Sequence, residues 1–312
     1  MHVSRKINIY RTILNPFDRP CLRATYMKAS IIEEVAFQLI KRASIVLPKD
    51  VKVALQKAYE EETSKLGKTQ LKAILDNVTA AEQMGRPVCQ DTGIVSFFIR
   101  GRSLDYKNFE EALRRATIRA TREVPLRPNA VHPLTRKNSE DNTGAHIPGI
   151  THIYEDADHI DLVVTLKGAG SENMSALYMI SPSEGINGIK RAVVETVASA
   201  GGQPCPPIVV NVGIGGTVDL TLKLAKIALI RPLGTRHREG EVAKLEEELL
   251  TLINSTGVGP MGLGGKITAL DVKIEYAHCH TASLPVGVNI QCWADRRATA
   301  RIYPDGSWEL LS

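Results

Sequence analysis

Long apolar runs are missing from this 312-residue sequence. No stretch approaches the ~18 residues that a membrane helix needs, so a membrane span is not expected. Aromatic residues make up only 5% of the chain, which leaves few platforms for stacking single-stranded nucleic acid. Its five cysteines are too few, and odd in number, for a disulfide scaffold. Free thiols in a reducing, cytoplasmic compartment are expected instead, and these are open to metal chemistry. A strong excess of one charge is lacking as well. The formal net charge is +5, but residues 1–26 hold Arg5, Lys6, Arg11, Arg19 and Arg23 against Asp18 alone. The rest of the chain is close to neutral, so its basic balance does not point to a nucleic-acid surface.

What is present is the composition of an ordinary globular protein, 43% hydrophobic and 23% charged. Residues 1–26 carry two prolines and no periodicity. They are expected to be a disordered basic extension, or an artefact of start-site choice with Met27 as the initiator. Arg and Ser are not concentrated there as a transit peptide requires. From Met27 to Met84 the pattern is helical, with apolar residues at Ile31, Val35 and Leu39 and again at Val53, Leu55 and Tyr59. Pro48 separates the first two helices, and Gly85-Arg86-Pro87 ends a third. Strands are then expected over 94–99, 160–166, 208–212, 272–276, 286–290 and 300–303, and helices over 108–122, 182–199, 217–230 and 239–253. The expected fold is therefore mixed α/β. A helical N-terminal segment precedes alternating strands and helices around a cleft, all in one domain over residues 27–312.

Three cysteines share a setting. Cys89 (in Pro87-Val88-Cys89-Gln90-Asp91-Thr92-Gly93), Cys205 (in Gln203-Pro204-Cys205-Pro206-Pro207) and Cys292 (in Gln291-Cys292-Trp293-Ala294-Asp295) each sit at the end of a predicted element. A rigid scaffold presents functional groups at such places, although a small buried hydrophobe is the plainer role for any one of them. His278-Cys279-His280 could chelate zinc, but on a strand the two histidines would face away from the thiol. Two glycine-rich turns follow strands, at 166–173 and 212–217. Val218 stands where a dinucleotide fingerprint needs glycine, so an anion site is what remains open there. Arg127, in a long Pro-punctuated loop, offers a planar fork suited to a carboxylate.

In order along the chain, CQDTG at 89–93, LRPNAV at 126–131, KGAGSEN at 167–173, PCPP at 204–207, HTASLPV at 280–286 and CWADRR at 292–297 resemble the motif set of the class I, iron–sulfur fumarate hydratases. The similarity runs from about Met27 to the C-terminus and is to the alpha subunit of the two-subunit form. This resemblance implies a [4Fe-4S] cluster held by Cys89, Cys205 and Cys292, with one iron left open; Cys279 falls on no ligand motif. It implies Asp91 as the acid that protonates a departing hydroxyl. Gln90, Arg127, the Gly170 backbone and His280 are implied as contacts to a small dicarboxylate. The base and further substrate-binding cations are implied on a beta subunit, so this chain is expected to hold half an active site. The expected function is reversible hydration of fumarate to L-malate. L-tartrate dehydratase alpha subunit, on the same scaffold, is the alternative, although the segments at 170–175 and 280–283 look more like the fumarate enzymes. A zinc hydrolase using His278 and His280 and a nucleotide-binding regulatory protein are the readings from other classes.

Overall fold

The computed structural model describes residues 28–101 and 106–312, so the expectation about residues 1–26 falls outside the described residues. Three helices come first: α1 (Ala29–Ile45), α2 (Lys49–Glu61) and α3 (Lys65–Met84). α1 buries Ile32, Val35, Ala36, Leu39, Ile40 and Ala43, a spacing of three and four that puts them on one helix face. Pro48 is the N-cap of α2, and Ser64 caps α3 by accepting the Gly67 N–H at 3.2 Å. Gly85 ends α3 with φ 61°, a left-handed turn that glycine takes without steric cost.

The chain continues through β1 (Ile94–Gly101), α4 (Tyr106–Glu123), β2 (Gly149–Tyr154), β3 (Ile160–Lys167), the one-turn α5 (Ala169–Glu172), β4 (Ala176–Ile180) and α6 (Gly185–Ala200). Then follow β5 (Ile208–Gly215), α7 (Val218–Leu229), α8 (Gly240–Asn254), β6 (Ala269–Ala277), β7 (Leu284–Gln291), β8 (Arg296–Ile302) and β9 (Trp308–Leu310). The strands form two sheets, in the orders β2-β1-β3-β8-β9 and β4-β7-β5-β6. The mixed α/β expectation holds. Among the described residues no helix is long and apolar enough to cross a membrane.

Alternation along the strands decides what each sheet face meets. On the first sheet Phe97, Ile99, Leu162, Val164, Ala298 and Ala300 pack with α1 and α4 in one core. On the second, Val210, Val212, Ile274, Val288 and Ile290 pack with Val193 and Val197 of α6 and Leu249 and Ile253 of α8. α7 lies on the opposite face, so close that a Cβ on Gly213 would stand 1.9 Å from the Thr221 carbonyl oxygen. A third cluster joins Leu47, Val51 and Leu55 to Ile74, Val78, Val88, Val209 and Ala294, with Cys89, Cys292 and Trp293 at its margin. The entry helices thus meet both sheets where the candidate cysteines lie.

Two departures from expectation have physical causes. The strand predicted at 300–303 begins instead at Arg296, because two buried arginines, Arg296 and Arg297, open it. Hydrophobic patterning does not register buried charge. β2, β4 and β9 lie outside the predicted set; all three are sheet edges, β2 and β4 mostly half-buried and β9 exposed, so none shows a clear apolar run.

Glu62, only 1% exposed, fastens the α2–α3 junction to the segment before β6. Its Oε1 accepts the N–H groups of Thr63 (2.7 Å), Ser64 (2.8 Å) and Lys266 (2.9 Å), and its Oε2 that of Ile267 (2.9 Å). Burial alone would raise its pKa, but these donors outweigh burial and hold it below the ordinary carboxylate value. Removing the carboxylate strands buried N–H groups. Glu62→Ala should therefore cost about 3 kcal/mol and Glu62→Gln about 2 kcal/mol in urea unfolding. A depressed folded-state pKa gives stability that is present above the unfolded-state value and lost as pH falls through the folded one. The gap between the native chain and Glu62→Gln should accordingly shrink from neutral pH towards about pH 3. A gap independent of pH would contradict an ionised Glu62.

Candidate active site

The site starts from the loop after α3. Asn77 Nδ2 donates to the Val88 carbonyl at 2.9 Å and the Val88 N–H donates to Ser44 at 2.9 Å, which fixes the entry to Cys89. Three residues on, Thr92 is buried, and its Oγ1 accepts the Arg127 N–H at 3.0 Å. The long loop that carries Arg127 is pinned from within by Asn142. Its Oδ1 accepts the Asn129 N–H at 2.6 Å, and its Nδ2 donates to the Arg127 carbonyl at 3.0 Å.

Asp91 joins these segments to the turn after β3. Its Oδ1 accepts the Gly93 N–H at 2.9 Å and Asn129 Nδ2 at 3.2 Å, and its Oδ2 accepts the Ala169 N–H at 2.8 Å. Arg296 Nη1 donates to the Asp91 carbonyl at 2.7 Å. Gly168 must lack a side chain here, since a Cβ on it would stand 2.8 Å from Asp91 Oδ2. On the far side of the turn a Cβ on Gly170 would be 3.1 Å from the Gln203 carbonyl oxygen, which brings in the loop bearing Cys205. Cys205 has φ 56°, a costly backbone state for a residue with a Cβ, and its carbonyl accepts the Trp293 N–H at 3.3 Å. Cys89, Cys205 and Cys292 are all half-buried and free of disulfides.

Electrostatics tie the three thiols together. Burial pushes the Cys205 thiol up, and the neighbouring Cys89 pushes the same way. Burial also raises Cys292; Arg296 opposes it, Cys89 adds to it, and Lys167 pulls it back down. Lys167 is a buried ammonium that donates to the Ile290 carbonyl at 2.5 Å and to Ser171 Oγ at 3.2 Å and pairs with Glu172 at 3.1 Å. Burial, partly offset by Glu172, lowers its pKa to about 8.

The structure thus gathers Cys89, Asp91, Gly170, Cys205 and Cys292 around one corner, with Gln90 and Arg127 exposed beside them. It does not bring in His280. That residue is exposed in the turn between β6 and β7, whereas Cys292 follows the other end of β7. Eight strand residues put about 25 Å between them. Cys279 shares that distant turn, its thiol against the Ser283 carbonyl at 3.2 Å. Among the described residues no three or more His, Cys, Asp or Glu side chains are placed to hold a metal ion. The zinc reading of His278 and His280 therefore gains nothing from the fold. Three residues the motifs contained but to which no role was attached are prominent in space: Asn129, Lys167 and Arg296. The last two are charges at strand ends bordering turns, which is the signal that could have found them.

A cavity of about 1000 Å³ lies elsewhere, and none of the candidate residues lines it. Its Asp50 pairs with Arg297 and its Asp271 with Arg236, so much of its charge is spent on its own walls.

Comparison with known proteins bears on this corner. Residues 33–301 match the profile of the Fumarate hydratase (Fumerase) family. A chain of Methanocaldococcus jannaschii is 54% identical over 280 residues, covering 88% of this chain and 98% of its own. It carries, with a provisional qualifier, the name L(+)-tartrate dehydratase subunit alpha. The L(+)-tartrate dehydratase subunit alpha of Escherichia coli K12 is 34% identical over 284 residues, covering 90% of this chain and 94% of its own.

The packing of the corner makes a direct prediction. Gly93 has φ 82°, and a Cβ there would meet the Lys167 backbone nitrogen at 2.8 Å. Gly93→Ala should destabilise the chain by about 3 kcal/mol or more, while Gly144→Ala should change stability by less than about 1 kcal/mol, since nothing lies within 4 Å of its Cβ position. Thermal melting of the two variants checks this, and equal losses would refute the close approach.

Proposed function

The chain belongs to the fumarate hydratase (Fumerase) family of hydro-lyases, and from this premise we propose that it is the alpha subunit of a two-subunit lyase that removes water from a 2-hydroxydicarboxylate. The observation that carries the reading is the convergence of the Asp91 loop and the Gly168–Gly170 turn on three free thiols from distant parts of the chain. L-tartrate is the leading substrate. The expectation from the motifs was fumarate and malate, with tartrate as the alternative, and the names of both relatives favour that alternative. Malate remains the second reading, on the family's own description and on the segments at 170–175 and 280–283.

The donor set fits an iron–sulfur cluster. Three soft thiols, with no fourth at this corner among the described residues, suit a group that takes thiolate ligands and keeps one position open. They must lose their protons to bind it, and the cations of Arg296 and Lys167 beside Cys292 favour that loss against burial. Cys89, Cys205 and Cys292 would hold a [4Fe-4S] cluster through Sγ. When bound, it would supply a Lewis-acidic iron for a substrate carboxylate and the hydroxyl that leaves.

The chain's own residues supply the setting. Arg127, exposed and anchored through its backbone, can fork onto one carboxylate. Gln90 and the Gly170 N–H are assigned to the same small diacid. Asp91 is assigned the proton that goes to the departing hydroxyl. Its Oδ1 accepts two bonds and its Oδ2 one, so the second lone pair of Oδ2 is the place for that proton. The C–H proton is assigned to a base on the beta subunit, which docks over this corner in the cytoplasm. His280, remote from the corner within this chain, takes no part in this half-site.

Cys89→Ser, Cys205→Ser and Cys292→Ser should each abolish iron and sulfide binding, while Cys279→Ser and Cys21→Ser should keep both. Anaerobic iron and sulfide analysis decides this, and full iron in Cys292→Ser with none in Cys279→Ser would reassign the third ligand. The assembled enzyme should prefer L-tartrate to L-malate by at least about tenfold in kcat/KM, since a site that partners the second hydroxyl leaves donors unpaired on malate. A ratio reversed in favour of malate would establish the second reading. The alpha chain alone should show negligible turnover of either substrate, and robust turnover without a partner would remove the half-site assignment.

A further inference from the structure

We propose that Arg296 is a positioning residue of this site, whose buried guanidinium holds the main chain of Asp91 so that the Asp91 carboxylate stays aimed at the turn after β3. The proposal rests on the hydro-lyase reading, which uses Arg296 only as a cation beside Cys292, and gives it a second role, on Asp91.

Arg296 is the first residue of β8 and is paired with Leu166 of β3. It is 1% exposed and is the largest fully buried side chain among the described residues. Buried guanidinium groups normally sit against carboxylates, because an unpaired buried charge is costly. The neighbouring Arg297 obeys this rule, pairing with Asp295 at 2.6 Å and with Asp50. Arg296 does not. Among the described residues it forms no ion pair; its Nη1 donates to the Asp91 carbonyl at 2.7 Å, and its Nε has no partner. A neutral donor would satisfy one carbonyl at far lower cost, so a cation here needs a further reason.

Its surroundings give that reason. Arg296 Nη2 stands 3.6 Å from where a Cβ on Gly168 would be, and Asp91 Oδ2 stands 2.8 Å from the same point. The guanidinium, the bare glycine and the carboxylate are therefore adjacent layers. Asp91 is held at its carboxylate by Gly93, Asn129 and Ala169, and at its carbonyl by Arg296. With both ends fixed, the carboxylate cannot swing as the loop moves. Without Arg296 the carboxylate keeps its donors, but the backbone is free to pivot about them. Arg127, the main group placed on substrate, keeps a second anchor that does not pass through the Asp91 loop, the bond from Asn142 Nδ2 to its carbonyl. Loss of Arg296 should thus reach the reaction step and spare substrate affinity.

The test uses Arg296→Gln and Arg296→Lys in the complete two-subunit, cluster-loaded enzyme, with hydrogen exchange measured on the same preparations. Arg296→Gln should lower kcat by about 100-fold, and Arg296→Lys by about tenfold because its ammonium still reaches the carbonyl, with KM within about threefold in both. Exchange should accelerate in peptides covering 89–93 and 168–172 and stay unchanged over 160–166 and 298–302. A kcat for Arg296→Gln within twofold of the native enzyme would overturn the proposal. So would acceleration spread evenly along β3 and β8, which is the mark of a purely structural role. Should Arg296→Gln fail to fold, Arg296→Lys carries the same two readouts and decides. If the native assembly dehydrates neither tartrate nor malate, the hydro-lyase reading fails, while the exchange pattern still shows whether Arg296 restrains Asp91.

Discussion

The site hangs on a single side chain spanning three segments. The Asp91 carboxylate accepts from positions 93, 129 and 169, which belong to the loop before β1, the long loop after α4 and the turn after β3. Two of these donors are backbone N–H groups and the third is the Asn129 side-chain amide, and each would otherwise need water or a partner of its own. Satisfying one of them through Asp91 fixes the other two, and the constraint reaches further. Thr92 binds the Arg127 backbone, Asn142 binds both Arg127 and Asn129, and the turn at 168–170 touches Gln203. Loops without regular structure acquire the rigidity of the sheets beneath them. Catalytic groups need that rigidity, because small displacements of a reacting atom cost large factors in rate.

Around this knot the charges are arranged unevenly. Two buried cations, Lys167 and Arg296, border Cys292 and favour its thiolate, while burial and Cys89 favour the thiol. Free thiols in such a balance are tolerable to the fold, and the electron-poor group proposed above would relieve the conflict by taking them as thiolates. The corner to which the motifs point is also where buried cations and thiols meet.

Much of this was legible in the sequence. The helical entry, the ends of α3 at Gly85 and of β3 at Lys167, and the placing of Cys89, Cys205 and Cys292 at element ends all follow from periodicity and turn chemistry. Two things were not. Arg296 and Lys167 are buried charges inside or beside strands, and a pattern method that places charge at the surface passes over them. His280 looks like a member of the same site by motif order, but the antiparallel run of β7 carries it to the opposite end of the second sheet. Position along a chain fixes which strand a residue borders; which end of the sheet it occupies depends on pairing direction, and pairing is a tertiary property.

The strand order has a consequence for how the chain is made. The first sheet is discontinuous in sequence: β3 ends at Lys167, its partner β8 starts at Arg296, and the whole second sheet lies between them. On a ribosome that delivers the N-terminus first, β3 emerges with all eight of its residues destined for burial and one edge still open. The second sheet must then be synthesised before that edge is closed. An open apolar edge invites pairing with the wrong chain. The nascent polypeptide is consequently most vulnerable during translation of the second sheet, when β3 already waits and β8 has not yet arrived.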